Sequence, residues 1–119
     1  RKIESEEKTF LTKHNIKVFS EIYNMEAAAD YITEKANSHD LYISIDIDAL
    51  DPAFAPAVSY PEPNGLTPKE FFYILNRLLK IKSLKAIDIV EIVPEKDKNF
   101  DNRTLRTTAK IIEEASFKQ

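Results

Sequence analysis

Two aspartates at a spacing of two, Asp46 and Asp48, sit near the end of the run Tyr42-Ile43-Ser44-Ile45-Asp46-Ile47-Asp48-Ala49-Leu50-Asp51-Pro52. As a strand this run alternates, with Ile43, Ile45 and Ile47 on one face and Ser44, Asp46 and Asp48 on the other. The β-branched isoleucines favour a strand, whereas Asp is depleted there. Two like charges roughly 7 Å apart at the dry end of a sheet are costly unless a cation neutralises them. The pair therefore has the chemistry of half a divalent-metal site. A helix cap followed by a solvated turn residue is the competing reading of so short a pattern.

The residues around the pair narrow the choice. Phosphatases of the haloacid-dehalogenase type follow such a pair with Thr or Gly near the start of the chain, but here Ala49-Leu50 follows. Nucleotide-sugar transferases place it on a loop, and nothing else in the chain supports that reading. The stretch 44–67, SIDIDALDPAFAPAVSYPEPNGLT, resembles the signature segment of the ureohydrolases, the arginase and agmatinase family. That segment runs S-x-D-x-D-x-x-D-P, then a Pro-containing loop, then G-L-T opening a helix. Residues 86–94, AIDIVEIVP, resemble the family's next strand, with Glu91 at its end, and Arg1 with Ile3-Glu4 and Glu7 resembles its strand-to-helix junction.

This resemblance implies an α/β fold, three-layer αβα with a mainly parallel sheet. It implies a manganese-dependent hydrolase that converts a guanidino compound to an amine and urea. Asp46 and Asp48 match the two carboxylates that such a strand contributes to a site holding two manganese ions, and Glu91 matches the acceptor of the substrate guanidinium. The chemistry is sound: manganese is a hard ion that prefers carboxylate oxygen, and it lowers the pKa of bound water. A carboxylate can also pair with a planar guanidinium in bidentate fashion. Pro61-Glu62-Pro63 looks like the agmatinase branch, so agmatine is the expected substrate.

Departures from the pattern bear on the pocket. Tyr60 stands where the family places a Thr close to substrate, so its bulk would reshape the substrate-binding site; Val93 replaces an Asn, and Asn64 a Gly. The family's upstream G-G-D-H and D-x-H-x-D ligand segments are absent, and His14 and His39 match neither and are expected at the surface. Residues 1–119 are thus expected to be the C-terminal part of a single ureohydrolase domain, holding at most half the site and inactive alone. The alternatives are a non-catalytic binding or structural subunit of the same fold, or an arginase or guanidinobutyrase. The family's trimers and hexamers imply a homo-oligomer.

Composition excludes other classes. A net charge of −3 gives no general case for nucleic acid or an anionic membrane, and no apolar run of about 18 residues offers a membrane span. The absence of cysteine excludes disulfides and thiol catalysis and fits the cytoplasm.

Patterning predicts the elements that position the candidate residues. Helices are expected over 4–14, with Phe10 and Leu11 as anchors, over 26–37, from a Thr67 cap onward, and over 101–115. Thr67, Pro68 and Glu70 form a capping-box pattern, and Phe71, Phe72, Leu75, Leu78 and Leu79 give the following helix an apolar face. Strands are expected over 16–19, 41–47 and 84–90, and the proline-rich stretch 49–66, with the only glycine, as an ordered loop. Alternating strands and helices argue for a parallel sheet with helices on both faces, binding ligands beyond the carboxyl ends of its strands. Asp48, Glu91 and the long loop all fall there. An open strand edge would need cover from the rest of the domain or from a second copy.

Overall fold

The computed structural model describes residues 3–117, so Arg1 lies outside the described residues. Its elements are α1 (Ser5–Lys13), α2 (Met25–Ala36), β1 (Leu41–Asp46), α3 (Pro68–Leu78), β2 (Leu84–Val90), α4 (Pro94–Asp97) and α5 (Arg103–Ser116), with short 3-10 turns between some of them. β1 and β2 pair in parallel with α3 as the crossover, placing Ile43 opposite Ile87, Ile45 opposite Ile89 and Asp46 opposite Val90.

The isoleucines carry the packing. Ile45, Ile47, Leu50, Ala55 and Val58 form one buried cluster with Phe71, Leu75 and Leu79 of the α3 segment and Ile111 of α5. Each of the larger side chains among them contributes about 1.5–3 kcal/mol on burial. The Thr67–Glu70 capping box forms as expected: Glu70 N–H donates to Thr67 Oγ1 at 3.3 Å and Thr67 N–H to Glu70 Oε2 at 2.8 Å. α2 joins α3 through polar contacts, Arg77 pairing with Glu26 at 2.5 Å and Asp30 at 2.8 Å. Exposed pairs of this kind contribute about 0–1 kcal/mol, so burial of the α3 face outweighs them.

Several elements differ from their sequence expectation. The stretch 16–19 is irregular, with Ile16 and Val18 exposed, because a strand needs a paired neighbour and the described residues give it none. α1 buries no residue, and Phe10 is 56% exposed against His14 rather than anchoring the helix. β1 ends at Asp46, one residue early, and 47–49 form a 3-10 turn. The last helix begins at Arg103, because Asp101 and Asn102 both adopt left-handed backbone with φ of 55° and 54°.

One face of the sheet packs on the core. The other presents Tyr42, Ser44 and Asp46 to solvent. On that face Tyr42 Oη and Ser44 Oγ both donate to the carboxylate of Asp88, the latter at 2.7 Å. The Tyr42 bond, then the Ser44 bond, hold Asp88 below the usual carboxylate range, and the same contact raises the Tyr42 phenol.

The loop 49–66 is ordered by one carboxylate. Asp51 Oδ1 accepts from Ala53 N–H at 2.9 Å, and Oδ2 accepts from Asn64 N–H at 2.9 Å and Gly65 N–H at 3.2 Å. Its own N–H donates to Leu66 O at 2.9 Å, and Leu66 N–H returns to Ala49 O at 2.9 Å. The two ends of the loop therefore lie side by side. Gly65 is required there, since a Cβ would stand 2.5 Å from Asp51 N and 2.6 Å from the Leu50 carbonyl carbon. Asn64, with φ of 68°, takes the left-handed turn before it.

Two outcomes follow from this architecture. Gly65→Ala should destabilise the protein by about 1–3 kcal/mol, because backbone atoms cannot yield as a side-chain tip can; an unchanged melting temperature would contradict the close approach. Asp88 should make stability pH-dependent. Its folded pKa is depressed, so its contribution is complete above the ordinary carboxylate pKa of about 3.9 and is lost as pH falls below it. Tyr42→Phe or Asp88→Asn should flatten that acid limb in unfolding curves measured across pH, and an unaltered limb in both would refute the assignment.

Candidate functional site

β1 and β2 run parallel, so their carboxyl ends open on the same side. Asp46, the last residue of β1, is opposite Val90, the last residue of β2, and Glu91 leaves the sheet immediately after it. Neighbouring strands lie about 4.8 Å apart, so Glu91 emerges beside Asp46. Glu91 has φ of 67°, a left-handed conformation that a residue with a long side chain takes at a cost of about 1–2 kcal/mol. Its side chain is exposed. Strain of this kind, held at the carboxyl end of a parallel strand, is found where side chains are aimed for function.

Asp46 and Asp48 meet by a local route that differs from strand alternation. Asp46 Oδ1 accepts from the Asp48 N–H at 3.0 Å, which caps the 3-10 turn and ends the strand. Asp competes with strand pairing in this way through its short carboxylate. Asp48 therefore sits on the turn, half-buried, and faces a cavity of about 760 Å³ walled by Phe19, Met25, Leu66 and Ile74. Asp46, Tyr60 and Glu91 do not line that cavity.

Tyr60 is 78% exposed at the far end of the loop. The loop approaches β2 just before it: Val58 forms an antiparallel bridge with Ile92, Val93 N–H donates to Ala57 O at 2.9 Å, and Lys96 Nζ donates to Val58 O at 2.8 Å. Tyr60 and Glu91 thus flank the same bridge, each two or fewer residues from it along the chain. His14 and His39 are exposed, and His39 bonds within its own turn to Ser38 and Lys35.

The donor chemistry of Asp46 and Asp48 suits a hard divalent cation such as manganese, with two carboxylates at one strand end. No group of three or more His, Cys, Asp or Glu side chains converges among the described residues. The residues present therefore fit part of a metal site. Sequence reasoning missed Asp51 as the organiser of the loop, although the Asp-Pro after the pair marked it, and it missed the buried Asp97 and Thr104 behind the bridge. Their signal was faint, a Thr two residues after the Asp101-Asn102 pair in a polar stretch.

Comparison with known proteins agrees with this geometry. The sequence profile described as the arginase family matches residues 1–117. "Arginase 1, mitochondrial" of Arabidopsis thaliana is 42% identical over 78 residues, which is 66% of this chain and 22% of that protein. The crystal structure of Entamoeba histolytica arginase in complex with L-ornithine superposes with a TM-score of 0.83 at 26% identity, covering 97% of this chain and 40% of that one. The agmatine ureohydrolase of Thermoplasma volcanium has 35% identity and a TM-score of 0.59, over 73% of this chain and 29% of that one. The chain thus spans well under half the length of these relatives. With a profile matched from residue 1 to residue 117, and an arginase-like α/β fold that carries Asp46, Asp48 and Glu91 at the strand ends, the chain belongs to the arginase family.

Proposed function

We propose that the protein, at its full natural length, hydrolyses a linear guanidino compound to an amine and urea with manganese. The observation that supports this reading is the register of Asp46 against Val90, which brings the start of Glu91 next to the turn that carries Asp48. Asp46 and Asp48 would hold part of a two-manganese centre, and the rest of the protein would supply the other ligands. Bound manganese supplies Lewis-acid activation of water at neutral pH.

The chain's own residues then have defined tasks. Glu91 accepts the guanidinium through charge-assisted hydrogen bonds, which fixes the planar carbon over the carboxylate pair. Its left-handed backbone fixes the point at the end of β2 from which the side chain reaches the substrate. Water adds to the guanidino carbon, the bond to the alkyl nitrogen breaks, and that nitrogen leaves as the protonated amine. Tyr60, exposed beyond the bridge, meets the part of the substrate remote from the reacting carbon and discriminates between substrates.

The names of the plant and amoebal relatives favour arginine as substrate. Pro61-Glu62-Pro63 and the Thermoplasma volcanium relative favour agmatine. Urea release from both, with added manganese, separates the two. Asp46→Ala and Asp48→Ala should each lower turnover by more than about a hundredfold, beyond the usual loss from residues that only support metal ligands. Glu91→Gln should raise KM by about ten- to a hundredfold, the worth of one charge-assisted bond. Tyr60→Thr should shift the ratio of the two substrates' kcat/KM. Undiminished urea release by Asp46→Ala would sink the assignment.

A further inference from the structure

Asp97, Thr104 and Thr108 are the buried polar side chains among the described residues, and the reaction outlined above uses none of them. Thr108 makes the ordinary helical bond back to Thr104 O at 2.9 Å. Asp97 and Thr104, both at 0% exposure, do something else. Asp97 Oδ1 accepts from Thr104 N–H at 3.2 Å and Oδ2 from Leu105 N–H at 2.7 Å, capping α5 from outside its own chain start. The left-handed Asp101 and Asn102 make this reach possible, and Asp97 O accepts from Asn102 N–H at 3.0 Å.

With the helix start satisfied by Asp97, the Thr104 hydroxyl is free to serve another segment. It accepts from Ala57 N–H at 3.0 Å, across 47 positions of sequence. Thr107 and Thr108 instead turn their hydroxyls back to the carbonyls four residues earlier. The Ala57 peptide passes the constraint on, since its carbonyl accepts from Val93 N–H at 2.9 Å. Ile92, between Val93 and Glu91, is bridged to Val58. A buried relay therefore runs from Asp97 through Thr104 and Ala57 to the two residues that follow Glu91.

We propose that Thr104 is a positioning residue for Glu91, holding the segment 92–93 so that Glu91 keeps its left-handed backbone at the end of β2, next to the Asp46 end of β1. This rests on the reading of Glu91 as the guanidinium acceptor. Strained backbone persists only where its surroundings over-determine it, and this relay supplies that constraint. A substitution at Thr104 leaves no substrate contact missing, because the hydroxyl reaches only the loop.

The test compares Thr104→Val, which keeps the shape and removes the acceptor, with Thr104→Ser, which keeps the hydroxyl, both in the full-length protein. In Thr104→Val, amide hydrogen exchange at Ala57 and Val93 should accelerate by about fivefold or more, the worth of a hydrogen bond. Exchange at Ile45 and Ile89 should stay unchanged, and KM for the guanidino substrate should rise several-fold with manganese content unaltered. Thr104→Ser should restore both. Unchanged exchange at Val93, equal acceleration at all four amides, or raised exchange with unaltered KM would each overturn the proposal. If the unsubstituted protein releases no urea, the guanidino reading fails by itself, while exchange at Val93 still decides whether Thr104 holds the segment that carries Glu91.

Discussion

The parallel register of β1 on β2 governs everything at this end of the molecule. Because Asp46 faces Val90, the turn that carries Asp48 and the residue that leaves β2 start from the same level of the sheet. A shift of one residue would send the isoleucine faces to solvent and bring Ser44 and Asp88 into the core. The register is therefore secured by burial of Ile43, Ile45, Ile87 and Ile89 against α3 and α5. It is secured again on the opposite face by the bonds of Tyr42 and Ser44 to Asp88.

A two-stranded sheet is a small base for the candidate site, and such a pair is marginal alone in water. The chain compensates by wrapping its long loop into the same core. Asp51 draws 53 and 64–65 together, Gly65 lets the loop ends touch, and Ala55, Ala57 and Val58 are buried beneath it. The loop then reaches β2 by main-chain bonds at Val58, Ile92 and Val93. Its order comes from satisfied backbone groups more than from apolar bulk, which suits a segment that must be rigid and still lie at the surface.

Much of this was legible from residue types. The alternation in 84–90 marked β2 correctly, and Thr67-Pro68-x-Glu70 marked the start of α3, because caps and β-branched runs are local signals. The Asp46–Asp48 pair stood out by its own spacing, whereas Glu91 was marked only by the resemblance of 86–94 to a family segment. The stretch 16–19 misled because it has strand composition, yet pairing is a property of neighbours and no local residue can supply one. The late start of α5 was hidden for a similar reason: its cap is Asp97, six residues before Arg103 and inside another helix.

By itself the sequence determined the chemistry available to this protein and its family: carboxylates at strand ends, a loop punctuated by proline and one glycine, and no cysteine or ligand histidine among them. Those are properties of side chains and of short spacings, which the chain carries wherever it folds. Tertiary structure alone decided how the groups meet. It set Glu91 into left-handed backbone and ran a buried relay from Asp97 and Thr104 to the segment behind it. The contact of Thr104 with Ala57 joins residues 47 positions apart, and the free energy that selects it comes from burial and from satisfying hydrogen bonds in the folded core.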